Sequence, residues 1–209
     1  NLLEGSPLWA LWMGFEHEKI HIETSSVLIR ELPIELVERP KYFPPLHPSS
    51  SDNQNLKNEW IKGNKKKVKI GKPADEPSYG WDNEYGNREL EIDDFMYTKF
   101  QITNRDFYDF VASGSYSIDK YWAAEGLAWR KFRNTKRPTF WVGVGPEGSH
   151  EYELRTIFEM IPMPWNFPVE VNYHEAIAYC NWKKELDKTE MNYRLFTEGE
   201  FISLRKNQT

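Results

Sequence analysis

A segment without proline extends from residue 8 to residue 32, LWALWMGFEHEKIHIETSSVLIREL, between Pro7 and Pro33. Proline is tolerated in the first turn of a helix but cannot continue one, so these two residues mark a helix start and a helix stop. Apolar residues would lie on nearly every side of this helix, which is typical of a helix packed inside a bundle. The sequence therefore predicts one long bundle helix within residues 1–33.

Residues 34–78 have a different character. Prolines cluster in PIELVERPKYFPPLHPSSSDNQN and again in GKPADEPSYG, and polar residues dominate. Such a composition is typical of an extended connection between domains. We therefore expect a linker over 34–78, with the basic run KGNKKKVKIGK forming a solvated loop or a short hairpin near residues 68–70 rather than a nucleic-acid patch.

Residues 79–209 mix strand-like and helix-like sequence. The stretch ELEIDDFMYTKFQIT alternates apolar and polar residues as strands do. Thr103, with Asp106 three residues later, predicts a capped helix start, and Gly114 predicts the end of that helix. Further along, the pattern predicts a helix starting at Asn172 with Glu175, a strand in YRLF, and a last helix starting at Thr197 with Glu200.

The stretch between these helices, residues 136–171, is rich in Gly, Pro and aromatic residues and predicts long ordered loops. The fold class we expect is α+β. One terminal helix of a helical bundle would be followed, after the linker, by a mixed domain that begins at residue 79.

Composition excludes several classes of partner. The net charge is −5, which argues against nucleic-acid binding, and no apolar run reaches the roughly 20 residues of a membrane helix. Cys180 is the single cysteine, so no internal disulfide can form, as is usual in a reducing compartment. We expect a cytoplasmic protein with small-molecule substrates, no nucleic-acid partner and no membrane.

The long helix contains the pattern H-E-x-x-H, formed by His17, Glu18 and His21. Helical residues four apart lie within about 40° of each other around the axis, so two imidazoles at this spacing can bind one metal ion. Small residues share or border this face: Ala10, Gly14, Thr24 and Ser25. His17 and His21 are therefore candidate metal ligands.

Glu23 falls on another side of the same helix, about 140° from the midpoint of the two histidines. It shares a charged stripe with Glu16, Lys19 and Arg30. We therefore expect Glu23 to lie at the surface or to support the ligands without touching the metal.

Two alternatives remain open for these histidines. They could be packed, hydrogen-bonded residues with no metal, or they could belong to a zinc peptidase in which Glu18 is the general base. The peptidase needs a third ligand, but the sequence after His21, IETSSV, lacks the continuation G-x-x-H of one class of these enzymes. The next acidic residues surround Pro33 and Pro40, where a second ligand helix is not expected.

A third ligand is also hard to find among the other histidines. His47 precedes a proline in the linker, His150 lies in a glycine-rich loop, and His174 lies in the first turn of a predicted helix. We expect the third ligand upstream of Asn1, and we expect the chain to be a fragment of a longer protein.

The helix GFEHEKIHIETSSVLIRELP resembles the iron-binding helix of the sulfoxide synthases of ovothiol and ergothioneine biosynthesis, which carry H-x-x-x-H-x-E. The resemblance continues through GWDNEYG, ITNRDFYDFVASGSY, WRKFRNTKRPTFWV, FEMIPMPWNFPVEVNYHEAIAYCNWK and YRLFTEGEF, in the same order as in that family. It implies the C-terminal helix of a DinB-like bundle, then the truncated first part of a formylglycine-generating-enzyme-like domain, a C-type-lectin-like fold.

The resemblance also implies a chemistry. In that family three histidines bind a non-haem Fe(II), and His17 and His21 match two of them. O2-dependent C–S bond formation then joins cysteine to the histidine imidazole and gives a sulfoxide. Ile20 is apolar where the ergothioneine branch tends to have a polar residue, which favours the ovothiol branch.

The resemblance leaves the catalytic and substrate-binding residues unknown, because the family carries them on segments expected beyond Thr209. We therefore expect the fragment alone to be inactive. The methyltransferase usual in the ovothiol enzyme is not present in this chain. The alternatives to a sulfoxide synthase are a non-catalytic lectin-like binding or scaffold module and the zinc peptidase. Cys180 is expected in the core, and Asp82 and Glu84 in a turn.

Overall fold

The computed structural model describes residues 6–51, 54 and 56–205. The chain divides into two compact units. The first unit comprises residues 1–29, 60–97 and 196–209, and the second comprises residues 30–59 and 98–195. Each unit is described separately below.

Helix α1 spans Pro7–Glu31 and confirms the predicted long helix. Ser6 caps it, because the Ser6 hydroxyl oxygen accepts a hydrogen bond from the Leu8 amide at 3.1 Å, with Pro7 as the first helical residue. The helix ends before Pro33, as expected. No residue within Pro7–Glu31 is buried in the described part of the chain, so the structure does not test the predicted packing in a bundle.

Four strands follow in chain order: β1 Trp60–Gly63, β2 Lys66–Ile70, β3 Arg88–Ile92 and β4 Phe95–Thr98. Strand β1 pairs with β4, and β2 pairs antiparallel with β3 so that Val68 lies opposite Leu90. Residues 60–70 fall inside the predicted linker 34–78 and form β1 and β2, and β2 includes the segment 68–70 where a short hairpin was one of the predictions. The lysine run alternates with apolar residues, and Lys67 and Lys69 face Glu91 and Glu89 across the strands.

The last helix, α5, spans Glu198–Arg205 and packs on this strand pair. Gly199 lies so close to the side chains of Ile92 and Val68 that an added Cβ would lie 3.2 Å and 3.6 Å from their methyl carbons. Thr197 and Glu200 form the predicted reciprocal cap: the Thr197 amide donates to the Glu200 carboxylate at 2.8 Å.

The second unit has three helices, α2 Asn104–Ala112, α3 Ala124–Arg133 and α4 Tyr173–Leu186. It also has an antiparallel sheet of β5 Trp141–Gly143, β6 Tyr152–Arg155 and β7 Met160–Pro162, with β6 in the centre. Short 3₁₀ turns lie at Ile34–Leu36, Pro48–Ser51, Ser115–Ser117 and Asp119–Tyr121 in this unit, and at Asp82–Glu84 in the first unit.

The core of the second unit is mainly aromatic. The ring of Phe107 stacks on that of Tyr179 at 5.2 Å, and the ring of Phe110 lies 5.3 Å from that of Trp182. Tyr116 is also buried, and its hydroxyl donates to the buried Glu175 carboxylate at 2.8 Å. Glu175 accepts a second hydrogen bond, from the Asn172 amide at 2.9 Å, so one carboxylate both caps α4 and binds a core tyrosine.

The predicted helix starts at Thr103 and Asn172 are confirmed, each with its reciprocal cap. Two elements were missed. Helix α3 begins without a capping side chain, and the sheet β5–β6–β7 lies in the stretch expected to form loops. The predicted strand in YRLF is wrong, since residues 192–197 have no regular secondary structure. Instead, the Phe196 ring packs 6.1 Å from that of Phe95.

Candidate metal centre

His17 and His21 lie side by side on α1, as their spacing predicts. Their Nε2 atoms are 3.3 Å apart, and their ring planes are nearly perpendicular, at 83°. This arrangement needs only the helix, because the four-residue spacing places the second side chain one turn beyond the first. The Nε2 atoms of the two imidazoles are therefore close enough to contact one and the same ion.

The separation of the two nitrogens suits a shared metal ion. Metal–imidazole bonds of about 2.1 Å place two nitrogens about 3.0 Å apart at an angle of about 90° and about 3.4 Å apart at a tetrahedral angle. The observed 3.3 Å lies within this range. It is slightly longer than the usual range of hydrogen bonds, so a direct hydrogen bond between the two imidazoles would be weak.

The surroundings of the pair leave space. A Cβ built on Gly14 would meet no atom within 4 Å, and both imidazoles are exposed. The Thr24 hydroxyl is already used, since it donates to the Ile20 carbonyl oxygen at 2.9 Å. The exposure of both rings argues against the alternative of two histidines packed in a core within the first unit.

Glu23 is exposed, and its carboxylate makes no hydrogen bond or ion pair with the described residues. Its backbone carbonyl oxygen accepts a hydrogen bond from the Ser26 hydroxyl at 2.6 Å. On the charged stripe, Lys19 pairs with Glu16 at 2.6 Å. The role predicted for Glu23, support of the ligands without contact to the metal, stays a prediction.

The described residues contain no group of three His, Cys, Asp or Glu side chains that could hold a metal ion. His47 contacts Ser49 at 2.8 Å, and His150 contacts the Tyr152 hydroxyl at 3.1 Å. The His174 ring lies 6.3 Å from that of Trp129. His17 and His21 are thus two imidazoles of the kind that iron and zinc accept as ligands, and two such groups would be an incomplete set.

The zinc-peptidase reading depends on the same missing ligand. Glu18 is exposed on α1, and among the described side chains none joins His17 and His21 as a third zinc ligand. As for an iron site, the third ligand of such a zinc site would have to come from outside the described residues.

Three other residues considered from the sequence have structural explanations. Burial raises the pKa of Cys180 to about 11, so this half-buried side chain is a neutral thiol at pH 7 and suits packing. Asp82 and Glu84 lie in the short 3₁₀ turn, where the Glu84 carboxylate accepts a hydrogen bond from the Trp81 amide at 2.7 Å. That confirms the expected turn.

The sequence analysis missed one feature of the second unit. Residues of the segment 129–152 line an open cleft of about 800 Å³, although the sequence predicted only loops over most of that segment. The signal that could have found it is the run KFRNTKRP, with four cationic side chains before a glycine-rich turn.

None of the described helices is both long enough and apolar enough to span a membrane.

Comparison with known proteins gives the family. The chain is 31% identical over 122 residues to the hercynine oxygenase of Mycolicibacterium thermoresistibile, covering 57% of the chain and 25% of that protein. It is 30% identical to the hercynine oxygenase of Mycobacterium tuberculosis, covering 57% of the chain and 27% of that protein.

A third relative is the ergothioneine biosynthesis protein 1 of Neurospora crassa, 29% identical over 53% of the chain and 13% of that protein. The chain therefore spans about a quarter, or less, of the length of these relatives. The model of the sulfatase-modifying factor enzyme 1-like domain matches residues 58–203. Because this match covers more than half of the 209 residues, the chain belongs to the family of sulfatase-modifying factor enzyme 1-like domains.

Proposed function

We propose that this chain is part of a non-haem iron, O2-dependent sulfoxide synthase that joins cysteine to the imidazole of histidine. The observation that carries the proposal is the pair of Nε2 atoms of His17 and His21, 3.3 Å apart on one helix. The family membership supports it, as do relatives whose names are hercynine oxygenase and ergothioneine biosynthesis protein 1.

In this proposal His17 and His21 are two ligands of Fe(II), and a third ligand comes from outside the described residues. Iron(II) held by neutral imidazoles keeps its full charge and open coordination positions, which favours binding of a thiolate and of O2. The chain contributes the fixed geometry, because the helix sets the two nitrogens at a chelating distance before any metal binds. Glu23, on another side of the helix, would lie at the surface and support the histidine ligands without touching the metal.

The branch within these enzymes is a finer part of the proposal. Ile20, which precedes the second histidine ligand, is apolar and favours histidine as the acceptor, the ovothiol branch. The names of the relatives favour hercynine, the ergothioneine branch, at identities of 29–31%. We propose the ovothiol branch and keep the ergothioneine branch as the second candidate.

The test uses the whole protein that contains this chain, purified with excess Fe(II) and supplied with cysteine and O2. Histidine and hercynine are offered in parallel, and the sulfoxide products are identified by mass spectrometry. Product from histidine alone supports the ovothiol branch, and product from hercynine alone supports the second candidate. Protein that retains its iron but forms no sulfoxide in either arm would contradict the proposed reaction class.

The ligand assignment is tested with matched histidine variants. His17→Ala and His21→Ala should lose most of the bound iron, whereas His47→Ala and His150→Ala should keep it. Equal iron loss in all four variants would contradict the assignment. The 209-residue chain alone should bind iron weakly and form no sulfoxide, because two imidazoles are an incomplete ligand set.

A further inference from the structure

The second unit contains an open cleft that the proposed iron chemistry does not use. Its volume is about 800 Å³, and it is formed by the end of α3, the strands β5 and β6, and the turn between them. The lining includes the cationic side chains of Arg133, Lys136 and Arg137, the carboxylates of Glu147 and Glu151, and the aromatic side chains of Trp129, Trp141 and Tyr152. The combination resembles a binding site, in which polar groups orient a ligand and rings cover its body.

Arg137 is the cation in this cleft that has no carboxylate partner among the described residues. Lys136 pairs with Glu147 at 3.1 Å, and Arg133 lies 4.0 Å from Glu31. Arg137 instead donates its Nε–H to the Trp141 carbonyl oxygen at 2.9 Å, and its guanidinium carbon lies 5.6 Å from the centre of the Tyr152 ring. These contacts fix the side chain and leave the two terminal amino groups of the guanidinium for a ligand.

The position beside the Arg137 guanidinium is occupied by Gly143, which has no side chain. A Cβ built on Gly143 would lie 3.7 Å from a terminal nitrogen of Arg137, so glycine leaves open space there. At the rim, His150 has a left-handed backbone with φ of 54°, unusual for a residue other than glycine, and its ring contacts the Tyr152 hydroxyl at 3.1 Å. Such backbone conformations concentrate at binding and catalytic sites.

We propose that this cleft binds a small molecule through an oxyanion group, a carboxylate or a phosphate, held by the guanidinium of Arg137. A planar guanidinium presents two parallel N–H donors that match both groups, and a half-buried position strengthens the pairing relative to bulk water. The binding does not depend on the iron site, and it would hold whether or not the chain belongs to a sulfoxide synthase.

The test is an NMR titration of the purified chain with inorganic phosphate, acetate and benzoate in separate arms. Sodium chloride holds the ionic strength constant, so that general screening does not change between points. The reporters are the Arg137 Nε–H signal and the backbone amides of Gly143, Gly145 and Gly148, which line the cleft. These signals should shift together and saturate, with a dissociation constant on the order of 1 mM for such small anions.

The three probes separate the sources of the oxyanion. Saturation by phosphate but not by acetate assigns a phosphate group, and the reverse assigns a carboxylate. Tighter binding of benzoate than of acetate would show that the aromatic wall contacts the body of the ligand. Absence of saturable shifts in all three arms overturns the proposal.

Three variants remove ambiguity. Arg137→Lys keeps the charge but loses the two-pronged donor and should weaken binding about tenfold. Gly143→Val fills the space beside the guanidinium. The Cβ of the new valine would be at an ordinary van der Waals distance from Arg137, so the variant should fold, and it should abolish binding. Arg105→Lys is the matched control, since Arg105 lies over the Trp165 ring at 4.6 Å and outside the cleft. Equal affinity in Arg137→Lys, Arg105→Lys and the parent chain would contradict the assignment.

Discussion

Helix α1 and the core of the second unit use the same residue types in opposite ways. In α1, Trp12, Phe15 and Ile22 are exposed, the last with 69% of its surface accessible. In the second unit, Phe107 and Phe110 are almost completely buried, with 1% and 0% accessible. The helix is shaped by its own backbone periodicity, whereas the core is shaped by rings that meet from distant parts of the chain.

The comparison separates features that are set by local helix geometry from features that require tertiary contacts. The chelating distance between His17 and His21 follows from helical geometry alone, so it survives without any burial of the helix. The position of Glu175 between Tyr116 and the start of α4 requires the whole second unit to be assembled. Changes in α1 should therefore alter metal binding with little effect on stability, and changes in the core should do the reverse.

The largest effect is expected at the histidine pair. In the whole protein, His17→Ala or His21→Ala should remove most of the iron and abolish sulfoxide formation, because either change removes a proposed ligand. Thermal unfolding of the second unit should be unchanged. Metal analysis with a product assay measures the first effect, and near-ultraviolet circular dichroism, which reports the aromatic core, measures the second. A variant that retains its full iron content would show that the replaced histidine is not a ligand, and that α1 does not carry the metal site.

The next largest effect is expected in the core. Phe110→Ala should destabilise the second unit by about 3–5 kcal/mol, since it removes a fully buried ring that packs against Trp182 and Tyr116. Ile22→Ala on α1 should cost less than about 0.5 kcal/mol, as is usual for exposed residues. Urea unfolding of the two variants measures both. A cost for Ile22→Ala similar to that of Phe110→Ala would show that another surface covers this face of the helix.

The sequence predicted the features that depend on neighbouring residues better than the features that depend on distant contacts. The helix between Pro7 and Pro33 and the caps at Thr103 and Asn172 were predicted because proline and capping side chains act within a few residues. The histidine geometry was predicted for the same reason. The strand predicted in YRLF, residues 193–196, was wrong because its alternation is local, while a strand also needs a partner strand.

The remaining misses depend on contacts between distant residues. The sheet β5–β6–β7 comes from a stretch with many Gly and Pro residues, and its short strands become visible only through the pairing of Trp141 with Leu154 and of Leu154 with Ile161. The cleft beside Arg137 arises where this sheet meets α3. The expectation that the third ligand lies upstream of Asn1 stays a prediction.

A smaller effect is expected at Glu23. Glu23→Gln in the whole protein should lower iron affinity or activity by about 10- to 100-fold, the usual range for a group that supports a ligand without binding the metal. Glu16→Gln, on the same charged stripe, is the matched control and should lie within experimental error of the parent protein. The ratio of the rates of the two variants measures the contribution of Glu23. Complete loss of iron in Glu23→Gln would instead make Glu23 a direct ligand.

The smallest effect concerns the buried carboxylate of Glu175. Burial raises its pKa above the ordinary value, although the hydrogen bonds from the Asn172 amide and the Tyr116 hydroxyl act in the opposite direction. A carboxyl whose pKa is raised in the folded state binds its proton more tightly there than in the unfolded chain. Its contribution to stability is therefore complete below the unfolded pKa of about 4.3 and is lost as the pH rises through the folded pKa.

Glu175→Gln removes this titration and can keep both contacts, because the amide oxygen can accept from the Asn172 amide while the amide nitrogen donates to the Tyr116 oxygen. We expect its stability at pH 7 to be within about 1 kcal/mol of the parent chain. The difference between the two free energies of unfolding should shift in favour of the variant as the pH rises from about 4.5. Urea unfolding between pH 4.5 and pH 8 measures this difference, with the exposed Glu190→Gln as the control. A difference that is flat with pH, or that shifts in favour of the parent, would show that the assembled core stabilises the charged form of Glu175.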